Sequence, residues 1–125
     1  MRTFSKAWNS SKAPGKQRKY RARAPLHIKR KFMGAHLSPE LRKSHGRRAI
    51  IVRKDDKVKV MRGQFSGLSG KVDRVDISGV KVYVRGVETT KKDGTKVFYP
   101  LHPSNLMITE LNLSDKKRVA ALKRR

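Results

Sequence analysis

Asp56-Lys57-Val58-Lys59-Val60-Met61-Arg62-Gly63-Gln64-Phe65-Ser66-Gly67-Leu68-Ser69-Gly70-Lys71-Val72 is the stretch on which the reading of this chain turns. Val58 and Val60 alternate with Lys59 and Met61, the period of a half-buried strand. A loop punctuated by Gly63, Gly67 and Gly70 follows, and a second strand starts at Lys71. Glycines permit positive φ and let backbone amides come close to a ligand. Arg62 and Lys71 flank the loop with charge, and Phe65 offers a flat face on which a base could stack. The same residues also suit a tight turn in which the glycines serve only the bend and Phe65 caps the core. The stretch alone leaves both readings open.

Outward from this stretch the pattern stays β. Val80, Val82 and Val84 alternate with Lys81, Tyr83 and Arg85, and Leu106 and Ile108 alternate with Met107 and Thr109. Val72 and Val75 break strict alternation, which predicts a bulge or bend in a strand at about 70–77. Ser78-Gly79 marks a turn. Asp93-Gly94, between Val87–Lys92 and Thr95–Tyr99, is a strong hairpin signal. Five short strands in some sixty residues cannot make two large sheets and are most economically closed into a small barrel, which removes exposed edges.

The flanks read differently. Ser38-Pro39-Glu40-Leu41 offers an N-cap, a proline at the first helical position and an acid in the first turn, with Gly46 as the stop. Pro25 starts a second short helix, with Leu26 and Met33 on one face and Gly34 ending it. Ser114-Asp115 opens a C-terminal helix whose Val119 and Leu122 share a side. Residues 1–24 read as extended or disordered when alone.

Charge divides the chain the same way. Its 125 residues carry a formal net charge of +24. Residues 1–48 hold 15 Lys/Arg and one acid, 49–113 hold 12 and 7, and 114–125 hold 6 and one. The expected organisation is a basic N-terminal extension (1–48), a β core (49–113) and a basic C-terminal helix (114–125). So large an excess of one sign opposes compaction unless a polyanion neutralises it, and nucleic acid has the densest line of phosphates. The arms are expected to order on that partner.

Other classes are poorly supported. There is no cysteine, hence no disulfide framework or thiolate metal site, which fits a reducing compartment. The longest apolar run, Ala49-Ile50-Ile51-Val52, is far too short to span a bilayer, so no membrane insertion is expected. The basic start raises an organelle transit peptide. Asn9-Ser10-Ser11 and Asn112-Leu113-Ser114 read as chance sequons without a secretory signal. His27, His36, His45 and His102 are scattered, so no metal or other cofactor is expected. Nothing groups a nucleophile with a base, so no catalytic residues or small-molecule substrate are assigned. Gly67-Leu68-Ser69-Gly70-Lys71-Val72 lacks the first glycine and the final Ser/Thr of a phosphate loop.

The opening stretch resembles a KOW motif, found in several ribosomal proteins and in transcription elongation factors of the NusG type. Ala24-Pro25-Leu26-His27, Ala35-His36-Leu37-Ser38, Glu40-Leu41-Arg42, Gly46-Arg47-Arg48 and Val52-Arg53-Lys54 narrow the resemblance. They are similar to the archaeal and eukaryotic branch of the universal large-subunit ribosomal protein twenty-four family, called twenty-six in eukaryotes. Arg85-Gly86-Val87-Glu88, Asp93-Gly94 and His102-Pro103-Ser104-Asn105 continue it, over roughly residues 11–120, and the short C-terminal end favours the archaeal side. Lys54-Asp55-Asp56 departs from the family's frequent Lys-Gly-Asp, although an Asp can accept such a turn. Residues 1–10, with Phe4 and Trp8, match nothing and receive no function. The likeness of residues 11–48 to mature protein weakens the transit-peptide reading.

The resemblance implies a mainly β, SH3-like barrel lying on large-subunit rRNA, near the 5′ end of that RNA and the polypeptide exit. It also implies a part in early subunit assembly, neighbouring large-subunit ribosomal proteins as partners, and a cytoplasmic, ribosomal location. Two sets of RNA contacts are expected. In the arms, Lys12, Lys16, Arg18, Lys19, Arg21, Arg23, Lys29, Arg30, Lys31, Arg42, Lys43, Arg47 and Arg48 neutralise phosphates, with His27 beside them. In the core, Lys59, Arg62, Gly63, Phe65, Gly67, Gly70, Lys71, Lys81, Tyr83 and Arg85 meet backbone and 2′-OH groups, joined by Arg53 and Lys54. A KOW-containing transcription factor is the first alternative, but it needs a preceding α/β domain for which 1–48 is too short and too basic. A histone-like DNA-compacting protein would leave the barrel and the family likeness without a reason.

Overall fold

The computed structural model describes residues 4–8 and 10–124. Eight strands form in chain order: β1 (Gly34–Leu37), β2 (Ala49–Ile51), β3 (Lys57–Val60), β4 (Ser69–Asp76), β5 (Lys81–Val84), β6 (Glu88–Thr90), β7 (Lys96–Phe98) and β8 (Leu106–Glu110). Four α-helices accompany them: α1 (Pro14–Arg23), α2 (Leu26–Lys29), α3 (Pro39–His45) and α4 (Lys116–Lys123), with short 3-10 turns at Arg30–Met33 and Pro103–Asn105. About 29% of the structure is strand and 30% helix, so the fold is mixed rather than mainly β.

One six-stranded sheet runs in the order β2-β1-β8-β3-β4-β5, and β6 and β7 pair separately as a hairpin. The closed barrel expected from the sequence is not formed as a continuous ladder: β2 and β5, the ends of the order, do not pair with each other. The strands bend instead. Register shifts fall between Lys57 and Val58 and between Val72 and Arg74, the second where Val72 and Val75 break alternation. A single bridge joins Val82 to Leu101.

The alternating valines face inward as their period requires. Val58, Val60, Val72, Val82, Val84, Leu106 and Ile108 are fully buried, while Lys57 and Lys59 are exposed. Each such side chain stabilises the fold by about 1.5–3 kcal/mol relative to exposure. The core also draws on residues before position 49. Met33, Ala35 and Leu37 belong to it, and β1 sits centrally, antiparallel to β2 and parallel to β8.

The hairpin at Asp93-Gly94 forms with Thr89 opposite Val97, and Gly94 takes a φ of 89°. α3 starts and stops as its caps dictate: Ser38 Oγ accepts from the Leu41 amide, and Gly46 turns left-handed at φ 62°. Asp115 caps α4, its side chain accepting from the Lys117 amide. Asp55 adopts φ 68°, the left-handed conformation that glycine takes without strain, so the Asp accepts the turn.

Two local expectations need correction. Residues 14–23 are not extended: Pro14 stands at the helix start and Lys, Gln and Arg are good helix formers. Tyr20 of this helix packs near Phe4, Trp8 and Phe32, with ring centroids 4.9, 6.4 and 6.4 Å away. Leu26 and Met33 do not share a face, since Leu26 is 63% exposed and Met33 is buried; Ile28 is the inward residue of α2. Gly34 ends the helical run as expected, standing at the C-cap of the Arg30–Met33 turn, and also opens β1 in extended conformation. No described helix is long and apolar enough to cross a membrane.

Candidate nucleic-acid interface

The exposed cations fall on two main surfaces. α1 presents Lys16, Arg18, Lys19, Arg21 and Arg23, with Lys12 just before it. It contains no acid and no buried residue, so positive charge surrounds the helix instead of occupying one stripe. Tyr20, near Phe4, Trp8 and Phe32, gives the helix an apolar contact, but a helix otherwise so polar has little intrinsic reason to be stable. Arg21 also stacks over Phe32, its guanidinium carbon 5.8 Å from the ring centroid. His27, Arg30 and Lys31 continue the exposed basic surface, and Lys43 and Arg48 lie exposed beyond it. Arg42 is half-buried, with its Nε enclosed.

The second surface is the β3–β4 face and its loop. The loop is closed from within: the Gly67 amide donates to Val60 O at 2.8 Å, and Ser66 Oγ to Met61 O at 3.1 Å. Gly63 and Gly67 take φ of 96° and 90°, as the loop reading expects. Gly70 serves another purpose, because it lies in β4 and a Cβ there would meet Arg85 O at 2.3 Å. Its lack of a side chain lets β4 pass the backbone at Arg85, so its need is packing. Phe65 turns inward, packing on the core and against Tyr99, with centroids 5.0 Å apart. This matches the capping alternative and removes Phe65 as an open stacking platform. Lys59, Arg62 and Lys71 remain exposed.

Several cations expected to face RNA have protein partners. Arg85 pairs with Asp73 at 3.1 Å, and Lys29 Nζ donates to Ser78 O at 3.2 Å. Arg53 pairs with Asp115, and Arg47 donates to Arg124 O. The Arg53 contact holds the Asp115 carboxyl below its ordinary value. Tyr83 is half-buried under the Arg74 guanidinium, 4.4 Å from its ring centroid, so one ring face is already covered. Lys54 stays exposed beside Asp55.

Two features lay beyond sequence reasoning. Arg118 of α4 looks like one more cation of a basic tail, but its side chain is 3% exposed. Its Nη1 and Nη2 donate to Asp56 Oδ1 and Oδ2 at 2.6 and 2.7 Å. The second feature is a cleft where α1, α2 and the following turn meet the β4–β5 turn and His102. Lys81 and Arg21 both act on His102 there. His102-Pro103-Ser104 was visible only as part of a family pattern, with no chemical signal in its spacing. Among the described residues, no group of His, Cys, Asp or Glu is arranged to hold a metal ion.

Comparison with known proteins agrees with this picture. A family model for the L26 ribosomal proteins of eukaryotes and their archaeal counterparts, numbered twenty-four, matches residues 11–125. The chain is 50% identical over 114 residues to the large ribosomal subunit protein uL24 of Methanosarcina barkeri (strain Fusaro / DSM 804), covering 91% of this chain and 98% of the relative. With all but its first ten residues inside the match, the chain belongs to this family of ribosomal proteins.

Proposed function

We propose that the chain is a structural constituent of the large ribosomal subunit that binds rRNA, near the 5′ end of that RNA and near the peptide exit. In this role it helps early subunit assembly in the cytoplasm, beside neighbouring large-subunit proteins. Family membership supports the ribosomal role. The observation that carries RNA binding is α1: five cations, no acid and no buried residue in ten positions. Such a helix gains most of its stability from phosphates packed around it.

Residues 1–48 and 114–125 supply most of the neutralising charge, and 49–113 most of the sheet. The curled sheet is read as an SH3-like barrel of the KOW kind. The two register shifts that bend β3 and β4 and the Val82–Leu101 bridge support that reading. On its outer face Lys59, Arg62 and Lys71 meet the RNA backbone. Phe65 and Tyr83 contribute by shaping that face, since their rings are engaged within the protein.

Affinity for large-subunit rRNA fragments, measured from about 50 to 200 mM salt, tests the proposal. Counterion release makes log K fall by about 0.7–0.9 for each phosphate neutralised per decade of salt. A steep slope that shrinks when Lys16, Arg18, Lys19, Arg21 and Arg23 are replaced by Gln is expected. A flat profile overturns the proposal.

A further inference from the structure

One concave site on the molecule combines a flat ring, several cations and open hydrogen-bond donors. It is a cleft of about 450 Å³ between Arg21 and Phe32 on one side and Gly79, His102 and Ser104 on the other, with Lys29 at its edge. That volume lies within the range of small-ligand pockets. The three basic residues come from three separate elements, α1, α2 and the segment before the Pro103–Asn105 turn. Asp76, in the β4–β5 turn, accepts from the Gly79 amide at 3.1 Å through Oδ1 and is an acid at this side of the cleft.

The donors are arranged with some specificity. His102 Nδ1 accepts from the Ser104 amide at 3.2 Å and lies 2.7 Å from Ser104 Oγ. With Nδ1 accepting from that amide, the neutral imidazole carries its proton on Nε2 and can donate through it. Lys29 uses one of its three protons on Ser78 O and keeps two. The Arg21 guanidinium stacked over Phe32 forms a flat wall that combines charge with an aromatic ring. Cation–π and base-stacking contacts are how proteins hold unpaired bases.

We propose that this cleft seats a single unstacked nucleotide of RNA, its phosphate held by Lys29 and His102 Nε2 and its base stacked on the Arg21 guanidinium, which Phe32 backs. The inference rests on the rRNA-binding reading above and adds a place and a strand state to it. A duplex has no projecting base to enter a recess, whereas a bulged or looped strand has one. The exposed cations of α1 and the β3–β4 face bind phosphates of either kind. The cleft therefore adds a preference for single strands.

The test uses the full chain, a short single-stranded oligouridylate, and an RNA duplex of equal length at one salt concentration. Phe32→Leu and His102→Ala are each expected to weaken single-strand binding by about tenfold, the scale of one lost stacked base, and to leave duplex binding unchanged. In the wild-type chain the His102 Nε2 nitrogen resonance is expected to move on adding the single strand. Since Phe32 is half-buried, the nitrogen resonance and His102→Ala decide the matter if Phe32→Leu fails to fold. If single-strand binding persists with an unmoved resonance and no loss in His102→Ala, the cleft is not the site and the wider rRNA reading stands. If neither RNA binds, both readings fall.

Discussion

The guanidinium of Arg118 and the carboxylate of Asp56 face each other as a two-pronged pair with both residues buried, joining the C-terminal helix to the turn before β3. Asp56 also accepts from the backbone amides of Arg53 and Asn112 at 2.9 Å each. Arg118 donates further to Asn112 O at 2.9 Å and Ile51 O at 3.2 Å. Such a pair contributes chiefly by satisfying itself, because either charge left alone in the interior is costly.

Arg118→Met should therefore leave the buried Asp56 without its partner cation, lowering unfolding free energy by about 3–5 kcal/mol. Urea denaturation measures it. The double variant Arg118→Met, Asp56→Asn should recover part of the loss, since it removes the buried charge and keeps a side-chain oxygen for the Arg53 or Asn112 amide. A single variant as stable as the parent would show that solvent reaches the pair.

Gly70→Ala should destabilise through packing. Its new methyl would sit 2.3 Å from Arg85 O and 2.9 Å from Val84 Cγ1, so the backbone must move, at about 1–3 kcal/mol. Gly63→Ala meets open space but forces an alanine to φ 96°, and should cost about 1–2 kcal/mol by backbone strain alone. Thermal unfolding separates the mechanisms if Gly70→Ser proves worse than Gly70→Ala while Gly63→Ser matches Gly63→Ala.

Asp55→Gly should raise stability, by about 0.5 kcal/mol, because the residue already occupies left-handed backbone space at φ 68°. The gain is modest because glycine also loosens the unfolded chain. A lower melting temperature would mean that the exposed Asp55 carboxylate contributes a contact of its own.

Burial, reinforced by Lys81 and Arg21, lowers the pKa of His102 below its ordinary 6.5. The unfolded chain then binds the proton more readily than the folded one. Stability from this residue is present above pH 6.5 and is lost as pH falls through the lowered folded value. The melting temperature of the parent should fall more between about pH 8 and 5 than that of His102→Gln. Equal slopes would refute the assignment. Glu110 and Asp115, lowered by hydrogen bonds from Lys57 and Arg53, act in a separate and more acidic window, as pH falls through and below their ordinary 4.5 and 3.8.

What the sequence made legible was local. The alternating valines, the Asp93-Gly94 hairpin and the Ser38 and Gly46 caps each depend on neighbours within a few positions, and the structure follows them. The family likeness carried the ribosomal assignment. What stayed hidden depends on distant partners. β1 is only four residues long, so the alternation of Ala35 and Leu37 is too brief to register, and its place beside β8 is a long-range choice. Arg118 and Asp56 lie 62 positions apart, and a tail rich in lysine and arginine disguises an arginine that turns inward. The inward turn of Phe65 was one of two alternatives, decided by Tyr99 and the core behind it. Nor does charge alone say which arginines already have acids: Arg85 and Arg53 look like Arg62 until Asp73 and Asp115 are placed beside them.

The parallel pairing of His36 and Leu37 with Met107 and Ile108 has a consequence for birth order. Translation delivers β1 early and its neighbour about seventy residues later. A nascent chain therefore carries an open strand edge, beside its most cationic segment, until Leu106–Glu110 has been made. Closure of the sheet by β8 and locking of Asp56 by Arg118 then follow close together. Whatever shields that edge must do so until β8 has emerged, since an unpaired strand edge is a template for wrong pairing.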